Sequence, residues 1–113
     1  MKIEEKERDI VRLNDILQAI SGIEQILIEN KDNFITQRAM ERCFEILGEA
    51  CRRVSEELKQ EYPDIPWGNI IALRNVISHE YDKVEITTLW EIAQHKIPAL
   101  KDWIKGILEN IKK

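Results

Sequence analysis

Between Met40 and Leu58 the apolar residues Met40, Phe44, Leu47, Cys51, Val54 and Leu58 follow one another at steps of four, three, four, three and four. That rhythm keeps one seam apolar along about five turns of helix and fits no strand, whose faces alternate at every second residue. A chain built on such a seam must bury it against other helices. The preceding stretch does the same: Ile10, Leu13, Leu17, Ile20, Ile23 and Leu27 recur at three- and four-residue steps. They predict a first helix from about Glu5 to Glu29. Asn30-Lys31-Asp32-Asn33 is a polar turn, and Asn33 or Thr36 is placed to cap the second helix. Gly48, inside that second helix, costs roughly 1 kcal/mol relative to Ala. It either marks a close helix contact or is simply tolerated.

Tyr62-Pro63-Asp64-Ile65-Pro66 cannot continue a helix, because each proline removes a donor and restricts the residue before it. It is expected to be the longest connection. A third helix follows from near Trp67, turning Ile70, Leu73, Val76 and Ile77 inward before the polar run Ser78-His79-Glu80-Tyr81-Asp82-Lys83. The segment from Thr87 to Asn110 reads as helix, with Pro98 as a kink or a break. Its many isoleucines favour strands by propensity, yet their spacing is helical, and pattern outweighs propensity. The expectation is an all-α antiparallel bundle of four to five helices, the last kinked at Pro98, in a single domain over residues 1–113.

Charge and cysteine usage narrow the function. Seventeen Lys and Arg against 21 Asp and Glu leave a formal charge of −4, which argues against coating nucleic acid by bulk positive charge. A local basic site stays open. Met1-Lys2-Ile3-Glu4-Glu5-Lys6 lacks a signal-peptide core, and no apolar run nears the roughly 18 residues that span a bilayer. The expectation is a cytoplasmic protein with free thiols at Cys43 and Cys51. Those cysteines lie on or near the apolar seam, which favours small buried hydrophobes over metal ligands shared with His79 or His95. His95 itself reads as a surface or cap histidine.

One constellation carries chemistry: Leu73-Arg74-Asn75-Val76-Ile77-Ser78-His79-Glu80-Tyr81. On a wheel of about 100° per residue, with Arg74 at zero, Ser78 falls near about 40°, Asn75 near about 100° and His79 near about 140°. The third helix is thus expected to turn a polar arc away from its own core, with Asn75 and His79 one turn apart. A histidine near its free pKa can take or give a proton at neutral pH. An arginine offers a fixed positive fork to a phosphate. RNA carries its own 2′-hydroxyl nucleophile, so such a set could cleave it without a metal. The same residues also fit plain solvated polar positions, with Arg74 paired to Glu80 or to a glutamate of a neighbouring helix. On the second helix Arg38, Arg42, Arg52 and Arg53 share an arc with Glu41, Glu45, Glu49 and Glu56. Offsets such as Arg38 to Glu41, Glu49 to Arg53 and Arg52 to Glu56 favour helical ion pairs over a phosphate-tracking face.

The pattern Arg74-Asn75-x-x-x-His79-x-Tyr81 resembles the HEPN superfamily and, within it, the HepT-like toxins of MntA–HepT (type VII) toxin–antitoxin systems. The helix from Arg38 to Ala50 and the approach Pro66-Trp67 resemble the same family, over about residues 5 to 110. The resemblance implies a helical homodimer acting as an endoribonuclease that needs neither metal nor cofactor. On that basis His79 is the general acid/base, Arg74 binds the phosphate and Asn75 orients them; Arg38 and Arg42 of the arginine arc and Ser78 of the polar arc are the candidate RNA contacts. Tyr81 matches the tyrosine that an MntA-like minimal nucleotidyltransferase antitoxin modifies with AMP. The alternative is a non-catalytic HEPN module that binds or regulates a nucleotidyltransferase.

Overall fold

The computed structural model describes residues 3–78 and 85–111. Among them are six helices and no strand: α1 (Ile3–Leu27), α2 (Phe34–Arg53), α3 (Glu56–Glu61), α4 (Trp67–Ser78), α5 (Ile86–His95) and α6 (Ile97–Ile111). The chain is therefore all-α, as its periodicity requires. Asn33 caps α2, its side chain accepting from the backbone N–H groups of Ile35 (2.9 Å) and Thr36 (3.2 Å). This satisfies two donors that the first turn would otherwise leave unpaired.

Leu13, Ile16, Ile20 and Ile23 of α1 meet Met40, Leu47 and Cys51 of α2 in a core closed by Leu89, Ile104 and Ile107. α1 packs on α2 and on α6, α5 packs on α6 and α1, and α4 lies on α2. Gly22 lets α1 and α2 approach: a Cβ there would stand 3.0 Å from Cys43 Sγ. No helix among the described residues is long and apolar enough to cross a membrane.

Two helices end earlier than their seams suggest. α2 stops at Arg53, because Val54 and Ser55 adopt extended backbone (ψ 140 and 149) and Ser55 caps a separate α3. The Ser55 hydroxyl accepts from Leu58 N–H (3.2 Å) and donates to Asp9 Oδ2 (2.6 Å), while Ser55 N–H donates to Asp9 Oδ1 (2.9 Å). Asp9 is only 1% exposed, so both its oxygens are satisfied inside the fold. Val54 and Leu58 stay buried across the break, and the apolar seam outlasts the helix that announced it. The final segment likewise is not one kinked helix. α5 closes at His95, and Pro98 lies in the first turn of α6, where its missing N–H forfeits no helical bond.

The connection 62–66 has five residues, fewer than the six between α1 and α2, so it is not the longest. It is nonetheless the one that orients α4, since Trp67 Nε1–H donates to the Tyr62 carbonyl (3.1 Å) and the ring is buried.

Candidate active site

α4 is apolar around most of its circumference, yet Trp67 is its only buried residue. Ile70, Ile71, Leu73 and Ile77 are half-buried against the core, whereas Val76 does not join it. The expected inward position of Val76 is therefore corrected. The polar arc is corrected at one residue, because the stem of Arg74 itself helps to seat the helix. A Cβ placed on Gly48 of α2 would collide with Arg74 Cβ, lie 2.9 Å from Arg74 Cγ and 3.2 Å from the Ile70 carbonyl oxygen. Gly48 is thus the close-contact glycine, and the stem of Arg74 fills the space it leaves. Ser78 also turns toward α2, its hydroxyl donating to Glu45 Oε2 (3.0 Å). Asn75 and Ser78 are both exposed, and of the described arc it is the Arg74 stem that is packed against α2.

The Arg74 guanidinium donates to Asn75 Oδ1 (3.1 Å) and stands 3.8 Å from Glu49 Oε2. That carboxylate is already engaged. Arg52 holds it through two hydrogen bonds (2.7 and 3.1 Å), and Arg53 through one (3.1 Å). Hydrogen bonding from Arg52, with help from Arg53, lowers the Glu49 pKa to about 2. Glu49 is therefore an anion at neutral pH whose grip on Arg74 is its loosest. Of the expected ion pairs, Arg38–Glu41 (2.9 Å) and Glu49–Arg53 form, while Arg52 turns back to Glu49 and Glu56 pairs with Lys59 (3.5 Å).

Beside Arg74 a cleft of about 510 Å³ opens along α2, reached by Arg42, Glu45, Glu49 and Arg53. Arg42 makes no ion pair among the described residues. Arg38 does not line this cleft; besides its pair with Glu41, its guanidinium lies 5.0 Å over the Phe34 ring. His79 and Tyr81 fall outside the described residues. Both thiols are free, Cys51 buried and Cys43 half-buried, and desolvation pushes Cys51 up to about 12 and raises Cys43 as well. No three His, Cys, Asp or Glu side chains among the described residues converge as a metal-binding group. His95 is exposed at the end of α5.

The family described as ribonuclease HepT-like matches residues 10–107, which includes α2, the Gly48 contact and all of α4. The chain belongs to the HepT-like family. It is similar to the probable ribonuclease HepT of Thermococcus cleftensis, at 34% identity over 106 residues that cover 89% of this chain and 93% of that protein. A candidate RNase of Methanocaldococcus jannaschii is 31% identical over 108 residues, covering 88% and 90% of the two chains. A candidate RNase of Caldanaerobacter subterraneus is 35% identical over 82 residues, covering 73% and 72%. No solved structure matches the chain. Within this HepT-like fold, the Arg-Asn pair at 74–75 stands on the one helix whose packing is set by a glycine-to-arginine contact. Spacing alone pointed to Arg74 and Asn75. Of the two partners open to Arg74, Glu80 or a glutamate of a neighbouring helix, the described contact is to Glu49 of α2, a choice that no local pattern encodes.

Proposed function

We propose that the protein is a metal-independent endoribonuclease toxin that works as a homodimer. The observation that carries this reading is the seat of Arg74: its stem is wedged at Gly48 while its guanidinium reaches a cleft edge, loosely held by an anion that stronger partners retain. An RNA phosphate arriving there exchanges one carboxylate contact for its own, and Glu49 keeps Arg52 and Arg53. His79 removes the proton of the 2′-hydroxyl, whose oxygen attacks the adjacent phosphorus. Arg74 stabilises the charge that gathers on the phosphoryl oxygens, and Asn75 holds the guanidinium in place. The 5′-oxygen leaves with a proton, giving a 2′,3′-cyclic phosphate and a free 5′-hydroxyl. One histidine of each protomer lets one act as base while the other acts as acid. Arg42, Ser78 and Arg38, the last one turn before Arg42, extend the contact to flanking RNA.

The dimer is supported by α4, whose apolar residues exceed what its own chain covers. Beneath it, between Leu73 and Trp103 of α6, a groove of about 360 Å³ remains open, and Trp103 is 42% exposed. Silencing by a nucleotidyltransferase antitoxin fits the same site. The Tyr81 phenol oxygen would attack the α-phosphorus of ATP, releasing pyrophosphate and leaving an anionic AMP two residues from His79, where it repels RNA phosphates. The second reading, a non-catalytic HEPN module, draws on Glu49 and Glu45 already occupying Arg74 and Ser78.

Cleavage of RNA by the purified protein, in the presence of a chelator, separates the two. Arg74→Ala and His79→Ala are each expected to lower the cleavage rate by at least about 100-fold, the scale of a lost oxyanion contact or general base, with helicity and dimer retained. Undiminished cleavage by purified His79→Ala protein would sink the assignment. Mass spectrometry after incubation with antitoxin and ATP should show AMP on the wild type and none on Tyr81→Phe; equal labelling refutes Tyr81 as the acceptor.

A further inference from the structure

The cleft beside Arg74 has a second wall that no part of the proposed chemistry uses. Arg12, Asp15 and Gln18 of α1, at three-residue steps, face Arg42 and Arg53 of α2 across it. Four arginines and three carboxylates line the whole cleft, so it carries one net positive charge in a chain whose total is −4. Three of the arginines have carboxylate partners: Arg12 pairs with Asp15 (3.1 Å), Arg53 with Glu49 (3.1 Å) and Arg74, more loosely, with Glu49 (3.8 Å). Arg42 has no carboxylate partner among the described residues, although Arg38, Arg52 and Arg53 of the same helix all have one. Between the charges the floor is apolar, and Ile46 is 41% exposed there, flanked in sequence by Glu45 and Leu47. From Arg42 to Arg53 the α2 wall rises about 16 Å at 1.5 Å per residue.

We infer that the α1–α2 cleft is a second RNA subsite, in which Arg42 and Arg12 bracket a backbone phosphate next to the one bound by Arg74, with Ile46 beneath the intervening ribose or base. This rests on the ribonuclease reading and deepens it. A free guanidinium, a second one that can trade a surface carboxylate for a phosphate, and an apolar floor are the chemistry of a single-stranded nucleic acid. They do not suit an acidic protein helix, which would bring its carboxylates against Asp15, Glu45 and Glu49. The charge balance also explains how an acidic chain holds RNA: its positive groups are focused where the polymer runs rather than spread over the surface.

Binding of a fluorescein-labelled single-stranded RNA to the full chain, read by anisotropy over a series of salt concentrations, tests this. Arg42→Gln and Arg12→Gln should each weaken binding by about tenfold, the order of one charged hydrogen bond. Each should also flatten the log-affinity against log-salt slope by about 0.7, the loss of one phosphate contact on a single strand. Arg42→Lys should keep the slope, and Lys101→Gln, on the distant α6, should change neither quantity. In cleavage assays the loss should fall mainly on KM. An unchanged affinity and slope in the Arg12→Gln, Arg42→Gln double variant overturns the subsite, and leaves the catalytic reading standing if Arg74→Ala still abolishes cleavage. Absence of any cleavage by the wild type fails that reading instead, whatever the slopes. Circular dichroism of each variant separates lost contacts from lost fold.

Discussion

α2 and α4 lie against each other and obey opposite rules. α2 carries seven charged residues in 20, four Arg and three Glu, yet buries Met40, Phe44, Leu47, Gly48, Ala50 and Cys51, with its charges sorted onto the other side. α4 has Arg74 as its single charged residue in 12, yet buries only Trp67. A helix is buried by having neighbours on its apolar side, not by being apolar. α2 has α1 on one flank and α4 on the other, whereas α4 rests chiefly on α2. The apolar surplus of α4 is the part of this chain that its own fold leaves unused.

The sharpest way to break the comparison is to damage each helix on its apolar side. Leu47→Ala in α2 should lower the unfolding free energy by about 2 to 5 kcal/mol, as for other large-to-small core changes, measured by urea denaturation. Val76→Asp in α4 should leave monomer stability within about 0.5 kcal/mol, the range of surface changes, while shifting the proposed dimer to monomer in light scattering. A large loss of monomer stability in Val76→Asp would show that α4 is covered within its own chain. Gly48→Ala joins the two helices in one test. The added methyl must push Arg74 and the Ile70 carbonyl away, at about 1 to 3 kcal/mol for overpacking. RNA cleavage should fall more than stability, because the displaced group is the proposed phosphate binder; proportionate loss of both would reduce the contact to packing.

The smallest effect concerns acid. Glu49 has its pKa depressed to about 2 from 4.5, so its contribution is complete above pH 4.5 and is lost as the pH falls toward 2. Glu49→Gln should flatten that limb of the stability profile and leave the neutral region nearly unchanged, because the pairs it breaks are solvent-screened. An acid limb of unaltered steepness would assign the titration elsewhere.

Much of this was legible in the residues, and what was not has physical causes. The periodic apolar steps identify α1 and the buried side of α2, because helical burial writes itself at three and four residues. The end of α2 escaped, since Val54 and Leu58 continue the seam after the helix has stopped. The break is made by Asp9, 46 residues away, binding both the N–H and hydroxyl of Ser55. Pro98 was visible as a disruption, but a first-turn position and a mid-helix kink share the same residue. At the site, Arg74 and Asn75 stood out by type and spacing. Which way they point did not, because the wheel assumed that the apolar half of α4 must face inward. Gly48 widens the contact face of α4 by admitting an arginine stem beside Ile70, Leu73 and Ile77, where a larger residue would have required a smaller partner. Arg12's place in the cleft is not legible in the sequence, because nothing local distinguishes it from any arginine three residues before an aspartate.

The pinned stem of Arg74 bears on the timing of entropy loss. A free arginine surrenders up to about 2 kcal/mol of rotamer freedom when it is fixed. Here Cβ and Cγ are confined by Gly48 during folding, leaving only the outer torsions to settle when a phosphate arrives. On the proposed role of Arg74, part of the disorder that binding would otherwise have to remove is gone before the substrate is met.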